Sequence, residues 1–142
     1  MYVELLRFEK IRRRSKERSY KEVLSEKFES QTRGSIHLMP DKAVQFDGKV
    51  RENYKEKRPV VVTTPPRPNA TYETECAPGT SKYQNRNPKN CIIINAGESN
   101  LQKTTAFLLN YRRDYKSSSL GRRIGKFNAD KIDELEKKLG IN

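Results

Sequence analysis

Short apolar runs separated by turn-forming residues occupy the middle of the chain, and this pattern predicts a set of short β-strands. The clearest candidate is 60–64, in which every residue is β-branched, as suits a buried strand. The segment 65–69, Pro-Pro-Arg-Pro-Asn, is expected to be a loop because proline cannot donate a hydrogen bond to a sheet. Further strands are expected at 35–40, 71–77, 91–94 and 105–109, with a short hairpin at 43–46 and 49–54.

The first thirty residues are expected to be helical, either as one helix or as two with a break near Ser15. Tyr20, Leu24 and Phe28 recur at every fourth position and would form one apolar face. Because an apolar face needs cover, we expect this arm to pack on the rest of the fold or on a partner subunit.

A second helix is expected near the end of the chain. Asn128 is a suitable N-cap and Gly140 a suitable stop, so the helix should lie between them. Its apolar positions Ile132, Leu135 and Leu139 would face the core. Short strands with Pro/Gly turns and a closing helix predict a mainly β fold with helices (α+β), arranged as a small, partly closed barrel.

The composition limits the size of the core and favours a polyanionic partner. Of 142 residues, 33% are hydrophobic and 34% charged, so we expect one domain with an exposed appendage. The formal net charge is +12, and residues 101–126 hold seven Lys or Arg against one Asp. Such a balance suits nucleic acid, an anionic membrane or an acidic protein tail.

Several classes of protein are disfavoured by the sequence. No apolar run has the length of a transmembrane helix, and the N-terminus lacks the apolar core of a signal peptide, so we expect a cytoplasmic protein. Cys76 and Cys91 have no CxxC spacing, which argues against a zinc site and favours two reduced thiols. We expect neither a metal nor another cofactor.

From Arg33 onward, four segments carry a family resemblance. They are Arg33-Gly34-Ser35-Ile36-His37-Leu38, Lys57-Arg58-Pro59-Val60-Val61-Val62, Ala77-Pro78-Gly79-Thr80-Ser81-Lys82 and the stretch from Lys116 to Lys126, which contains Leu120-Gly121 and Ile124-Gly125. Their order and approximate spacing resemble those of the MazF/PemK (Kid/EndoA-like) toxins of type II toxin–antitoxin pairs.

The resemblance implies a fold, an activity and partners. It implies an SH3-like, plasmid-maintenance-toxin barrel over residues 33–142, preceded by a basic helical extension over residues 1–32. Proteins of this family form homodimers, cleave single-stranded RNA without metal, and are silenced by an antitoxin with an acidic C-terminal segment. These features are expectations for the present chain.

The resemblance also implies which residues do the chemistry. Metal-free RNA cleavage requires activation of the 2′-OH, stabilisation of a phosphorane and protonation of the leaving 5′-oxygen. The family's catalytic arginine falls on Arg58, whose charge suits a phosphate clamp, and Thr80 and Ser81 would donate hydrogen bonds to phosphate oxygens. Turn capping is an equally reasonable role for the two hydroxyls. His37, the only histidine, is interpreted as structural or surface-exposed.

A wider set of residues is expected to bind RNA through charge or stacking. Asn110 and Tyr111 stand where many family members have an acid and a glutamine, so the general base is open among Asp114, Glu52 and Glu56. The expected RNA-binding residues are Lys49, Arg51, Lys55, Lys57, Lys82, Tyr111, Arg112 and Arg113.

Two other functions remain open at this stage. A noncatalytic RNA-binding barrel would have kept the fold and the basic face after losing the acid at position 110. A DNA-binding or protein-interaction module is disfavoured, because no basic recognition helix stands out apart from residues 10–21.

Overall fold

The computed structural model describes residues 28–44, 56–68, 72–83 and 86–141. Within these ranges, seven strands form one antiparallel sheet and a single α-helix, α1, closes the fold. The elements are β1 Ser35–Pro40, β2 Lys57–Arg67, β3 Glu73–Thr80, β4 Cys91–Ile94, β5 Thr105–Leu108, β6 Arg113–Lys116, β7 Arg123–Lys126 and α1 Ala129–Leu139.

The sheet curls because β3 changes partner along its length. The strand order is β4-β5-β3-β2-β1-β7, and β6 also pairs with β3. The first half of β3, from Glu73 to Cys76, pairs with β6, whereas Gly79 and Thr80 pair with β5. The result is a half-closed barrel with one C-terminal helix, which confirms the predicted fold class.

Strand β2 is buried over the predicted run 60–63 and also corrects one prediction. The loop expected at 65–69 is wrong for its first three residues, because β2 continues to Arg67. The register with β3 shifts between Thr64 and Arg67, so that Pro65 and Pro66 lie at an irregularity between paired positions. Proline is tolerated at such a bulge, since no ladder hydrogen bond is required of it there.

Alternate residues of β2 enter two separate cores. Val61 packs with Ile36, Phe107 and other residues on the side of the sheet that faces α1. Val60 and Val62 belong to the second cluster, on the opposite side of the strand. A strand that is buried on both faces needs apolar or β-branched residues at every position, not only at alternate ones. The continuous β-branched run therefore made β2 recognisable in the sequence.

The C-terminal helix is confirmed as predicted. The side chain of Asn128 accepts a hydrogen bond from the backbone N–H of Lys131 at 2.9 Å, and Gly140 ends the helix with φ of 75°. Leu135 is fully buried, and Ile132 and Leu139 pack against the same core.

Other elements depart from the prediction or lie outside the described residues. Strands β6 and β7 were not predicted from the sequence. Most of the expected N-terminal helix (1–27) and the expected hairpin at 43–46 and 49–54, from residue 45 onward, fall outside the described ranges. Phe28 lies in a turn, is buried, and packs on the ring of Tyr72 with 5.5 Å between centroids.

In the described part of the chain, no helix combines the length and the apolar character needed to cross a membrane.

His37 is a buried structural residue that joins β1 to the segment before β7. It is 1% exposed, and its Nδ1 lies 2.9 Å from the carbonyl oxygen of Gly121, which can only accept, so Nδ1 carries the proton. Nε2 lies 3.0 Å from the hydroxyl of Ser35. Burial lowers the pKa of His37 from its ordinary value of 6.5; the hydrogen bond with Gly121 opposes this shift and the charge of Arg123 adds to it.

We expect the protein to lose stability as the pH falls below about 6.5. In that range the unfolded chain protonates this histidine before the folded chain does, which favours the unfolded state; above it, both forms are neutral. Melting temperatures at pH 7.5 and pH 5.5 measure the effect, and His37→Asn, which keeps a donor for Gly121, should show a smaller drop. Equal drops in the two proteins would contradict the prediction.

Candidate functional site

Arg58, the second residue of β2, donates hydrogen bonds to two described residues that hold it in place. Its Nε donates to Oδ1 of Asp41 at 2.6 Å, and its Nη1 donates to the carbonyl oxygen of Gly79 at 2.7 Å. Arg58 is 8% exposed and Asp41 is 1% exposed, so the ion pair is buried. Two bonds from different nitrogens fix the plane of the guanidinium.

Asp41 is the residue of this site that the sequence analysis missed. It starts a short 3-10 turn, Asp41–Ala43, directly after β1. The last pair of the β1–β2 ladder is Pro40 with Lys57, and the backbone N–H of Asp41 donates to the carbonyl of Glu56 at 3.3 Å. If strand 35–40 had been predicted to pair in antiparallel fashion with the strand that begins near residue 57, Asp41 would have been placed beside Arg58. This pairing was not predicted, so Asp41 was assigned to a polar loop.

The structure brings Arg58 close to the predicted hydroxyl-bearing turn. Gly79, whose carbonyl accepts from Arg58, directly precedes Thr80 and Ser81 at the end of β3. Ser81 is half-buried and lines the same cavity as Arg58. Thr80 is buried and accepts a hydrogen bond from the backbone N–H of Lys82 at 3.1 Å, so its hydroxyl also caps the turn.

The cavity beside Arg58 has a volume of about 510 Å³. This size lies within the range of about 300–1,000 Å³ typical of small-ligand sites. Among the described residues that line it, three are cationic and none is acidic. The cations are Lys57, Arg58 and Lys103, and the apolar wall comes from Leu38, Pro59, Leu101 and Ile124. The cavity therefore suits an anion joined to a flat or apolar group.

The predicted RNA-binding residues are distributed over more than one region. Lys57 is exposed and lines the cavity, and Lys82 is exposed beside Ser81. Arg112 lies 3.7 Å from Glu75, and Arg113 pairs with Cys76, so both lie along the earlier part of β3 rather than at its end. Lys49, Arg51 and Lys55 are outside the described residues.

Tyr111 serves partly as a packing residue. It is half-buried against the second core, and the guanidinium of Arg86 lies 5.7 Å from its ring centroid. Neighbouring Asn110 is exposed in the 3-10 turn Leu109–Tyr111.

Two of the three acids considered as a general base lie in the described part of the chain. Asp114 forms an exposed ion pair with Arg67, at the far end of β2 from Arg58. Glu56 is exposed next to Lys57, and Glu52 lies outside the described residues. Among the described residues, the buried carboxylate in contact with Arg58 is that of Asp41.

The two cysteines have no feature of a reactive site. Both are free and buried. Burial raises the pKa of the Cys76 thiol and that of the Cys91 thiol, so both are protonated near neutral pH.

Among solved structures, Mycobacterium tuberculosis toxin MazF-mt6 shares the fold, with a TM-score of 0.52 and 20% identity over 76% of this chain and 98% of that one. A second match is described as the crystal structure of an Mtb toxin, with a TM-score of 0.49 and 21% identity over 58% of this chain and 89% of that one. Among curated proteins, no significant match was found.

The family assignment comes from the sequence of residues 33–142. These residues match the family described as "PemK-like, MazF-like toxin of type II toxin-antitoxin system". The match covers well over half of the chain and begins at the arginine where the four recognised segments begin. The chain belongs to the family of PemK-like, MazF-like toxins of type II toxin–antitoxin systems.

Proposed function

We propose that the protein is a metal-independent endoribonuclease that cleaves single-stranded RNA at the cavity beside Arg58. The observation that carries the proposal is the buried guanidinium, oriented by Asp41 and by the Gly79 carbonyl, at the wall of a cavity with only cationic charge among its described lining residues. A fixed cation of this kind stabilises charge that develops on a phosphodiester, and needs no reorganisation during the reaction.

The proposed reaction is an internal phosphoryl transfer. The 2′-oxygen of one nucleotide bonds to the adjacent phosphorus, the bond from phosphorus to the 5′-oxygen breaks, and the proton lost from the 2′-OH is balanced by one gained at the 5′-oxygen. The products are a 2′,3′-cyclic phosphate and a 5′-hydroxyl. Arg58 would bind the phosphorane oxygens, with help from the hydroxyls of Thr80 and Ser81.

Incubation with a mixed-sequence single-stranded RNA in excess EDTA tests this function. We expect cleavage, with cyclic phosphate at the new 3′ ends. The matched double-stranded RNA serves as the control and should remain intact. Intact single-stranded RNA, or cleavage that stops when EDTA is added, would contradict the proposal.

The partners follow from the same proposal. A type II toxin has an antitoxin, and we propose that an acidic C-terminal segment of that antitoxin neutralises the basic surface. We further propose that the toxin is a cytoplasmic homodimer, with residues 33–142 as its barrel domain and residues 1–32 as a basic extension. Lys57 and Lys82, together with the cations Lys49, Arg51 and Lys55 outside the described residues, would bind the RNA backbone. Tyr111, Arg112 and Arg113 would contribute along the neighbouring surface.

A noncatalytic RNA-binding role is the second candidate. It is favoured by Asn110, an amide at the position where an acid was expected, and by the engagement of Thr80 in its own turn. It predicts salt-sensitive binding of RNA that is recovered intact, so the same incubation separates it from the nuclease.

A further inference from the structure

We infer that the cavity beside Arg58 holds one unpaired nucleobase next to the scissile phosphate, and that Gln102 reads the edge of that base. The inference rests on the proposed function, since it names a subsite and a specificity residue for the same reaction. It arises from three features: the size of the cavity, the packing of the turn that forms its outer wall, and the exposure of the Gln102 amide.

The cavity is larger and more apolar than a phosphate requires. At about 510 Å³ it extends beyond the guanidinium of Arg58 to Leu38, Leu101 and Ile124, which come from β1, the β4–β5 connection and β7. A phosphate bound to Arg58 would leave this apolar part unfilled. Unpaired bases are recognised in proteins by such surfaces, with their flat faces on apolar or aromatic side chains.

The outer wall is a closely packed turn within the β4–β5 connection. Ser99 and Asn100 both have positive φ, at 50° and 63°, and the backbone N–H of Gly97 donates to the Leu101 carbonyl at 2.7 Å. The Asn100 amide donates to the Ile124 carbonyl at 2.8 Å, which ties the turn to β7. The left-handed conformation is uncommon for serine and more readily adopted by asparagine, and here the hydrogen bonds of the turn and its packing on β7 hold both residues in it.

Gly125 makes this packing possible. A Cβ at position 125 would clash with the carbonyl oxygen of Ser99, so β7 accepts the turn only because the residue is glycine. Leu101 anchors the other end of the turn in the core. The segment that follows, including Gln102 and Lys103, is therefore presented to the cavity from a fixed position.

Gln102 is the uncharged polar side chain of this wall that is available to a ligand among the described residues. It lines the cavity, is exposed, and its side-chain amide forms no hydrogen bond with the residues that the structure describes. The Asn100 amide, in contrast, is committed to β7. A glutamine amide offers a donor and an acceptor side by side, which matches the hydrogen-bonding edge of a nucleobase. Lys57 and Lys103 supply positive charge for the phosphates on either side.

Sequencing the cut sites of a randomised single-stranded RNA library tests the inference. For the wild type, we expect a base preference at a position adjacent to the cleaved bond. Gln102→Ala should reduce the preference at that one position about 5-fold or more, and Gln102→Glu should change the preferred base, because a carboxylate only accepts hydrogen bonds. Asn95→Ala is the control: Asn95 is an exposed amide in the same connection that is not among the described lining residues.

The outcomes separate the inference from the proposed function. RNA cleavage by the wild type with no base preference, or a preference that both Gln102 variants retain, would overturn the inference and leave the nuclease intact. If the wild type cleaves no RNA, the proposed nuclease fails. In that case, RNAs that bind the wild type and the Gln102→Ala protein are selected from the same library and their sequences are compared. The same selected sequence for both proteins, or no binding at all, overturns the inference.

Discussion

Arg58→Ala should reduce the rate of RNA cleavage by about 10²- to 10³-fold, which is the usual cost of removing one preorganised donor from the charge that develops in a transition state. The expected loss is large because the guanidinium is buried and held in one orientation by Asp41 and by the Gly79 carbonyl, and a water molecule or a flexible lysine is not preorganised in this way. Single-turnover cleavage of one defined oligonucleotide measures the change.

Two further variants, and the folding of Arg58→Ala itself, show whether the loss of rate comes from the chemical step. Arg58→Lys keeps the positive charge but not the planar pair of donors, and should still be impaired by about 10-fold or more. Arg67→Ala removes another arginine from the same strand, in an exposed pair with Asp114, and should cleave near the wild-type rate. Because Arg58→Ala leaves a buried carboxylate without this partner, its circular dichroism and melting temperature must be recorded as well. Wild-type rates in folded Arg58→Ala would remove Arg58 from the active site.

The elements of the fold that could be predicted are those determined by residues close to them in the sequence. The run from Val60 to Thr64 and the cap residues Asn128 and Gly140 act through their own neighbours, so strand β2 and helix α1 were recognisable in the sequence. Strands β6 and β7 are four residues each and mostly exposed, with charged side chains at both ends. Their conformation comes from pairing with β3 and β1, which leaves no periodic apolar pattern to find.

The candidate site divides in the same way. Arg58 and the turn at Thr80 were found because the motif around each is contiguous. Asp41 was missed because its role exists only through the pairing of β1 with β2, and the cavity beyond Arg58 exists only through the packing of the β4–β5 connection on β7. Contacts between residues distant in sequence determine both the position of Asp41 and the shape of the cavity. Such contacts cannot be predicted from local motifs or composition.

Asp41→Ala should lower the free energy of unfolding by about 3–5 kcal/mol, because it leaves the buried guanidinium of Arg58 without its carboxylate. The side chain of Asp41 is 0% exposed and that of Arg58 is 10% exposed, so the pair is largely shielded from bulk solvent. Urea denaturation gives the value directly, and the melting temperature should fall by on the order of 10 °C.

Asp114→Ala is the matched control, because it removes the carboxylate of an ion pair whose side chains are 40% and 45% exposed. Surface pairs of this kind are worth about 0–1 kcal/mol, so this variant should remain close to the wild type. The double variant Asp41→Ala with Arg58→Met should recover much of the loss, since replacing both partners of a buried pair avoids an isolated charge. Equal stabilities of the Asp41→Ala and Asp114→Ala proteins would show that the buried pair does not hold Arg58 in place, and the orientation of the proposed catalytic group would then need another cause.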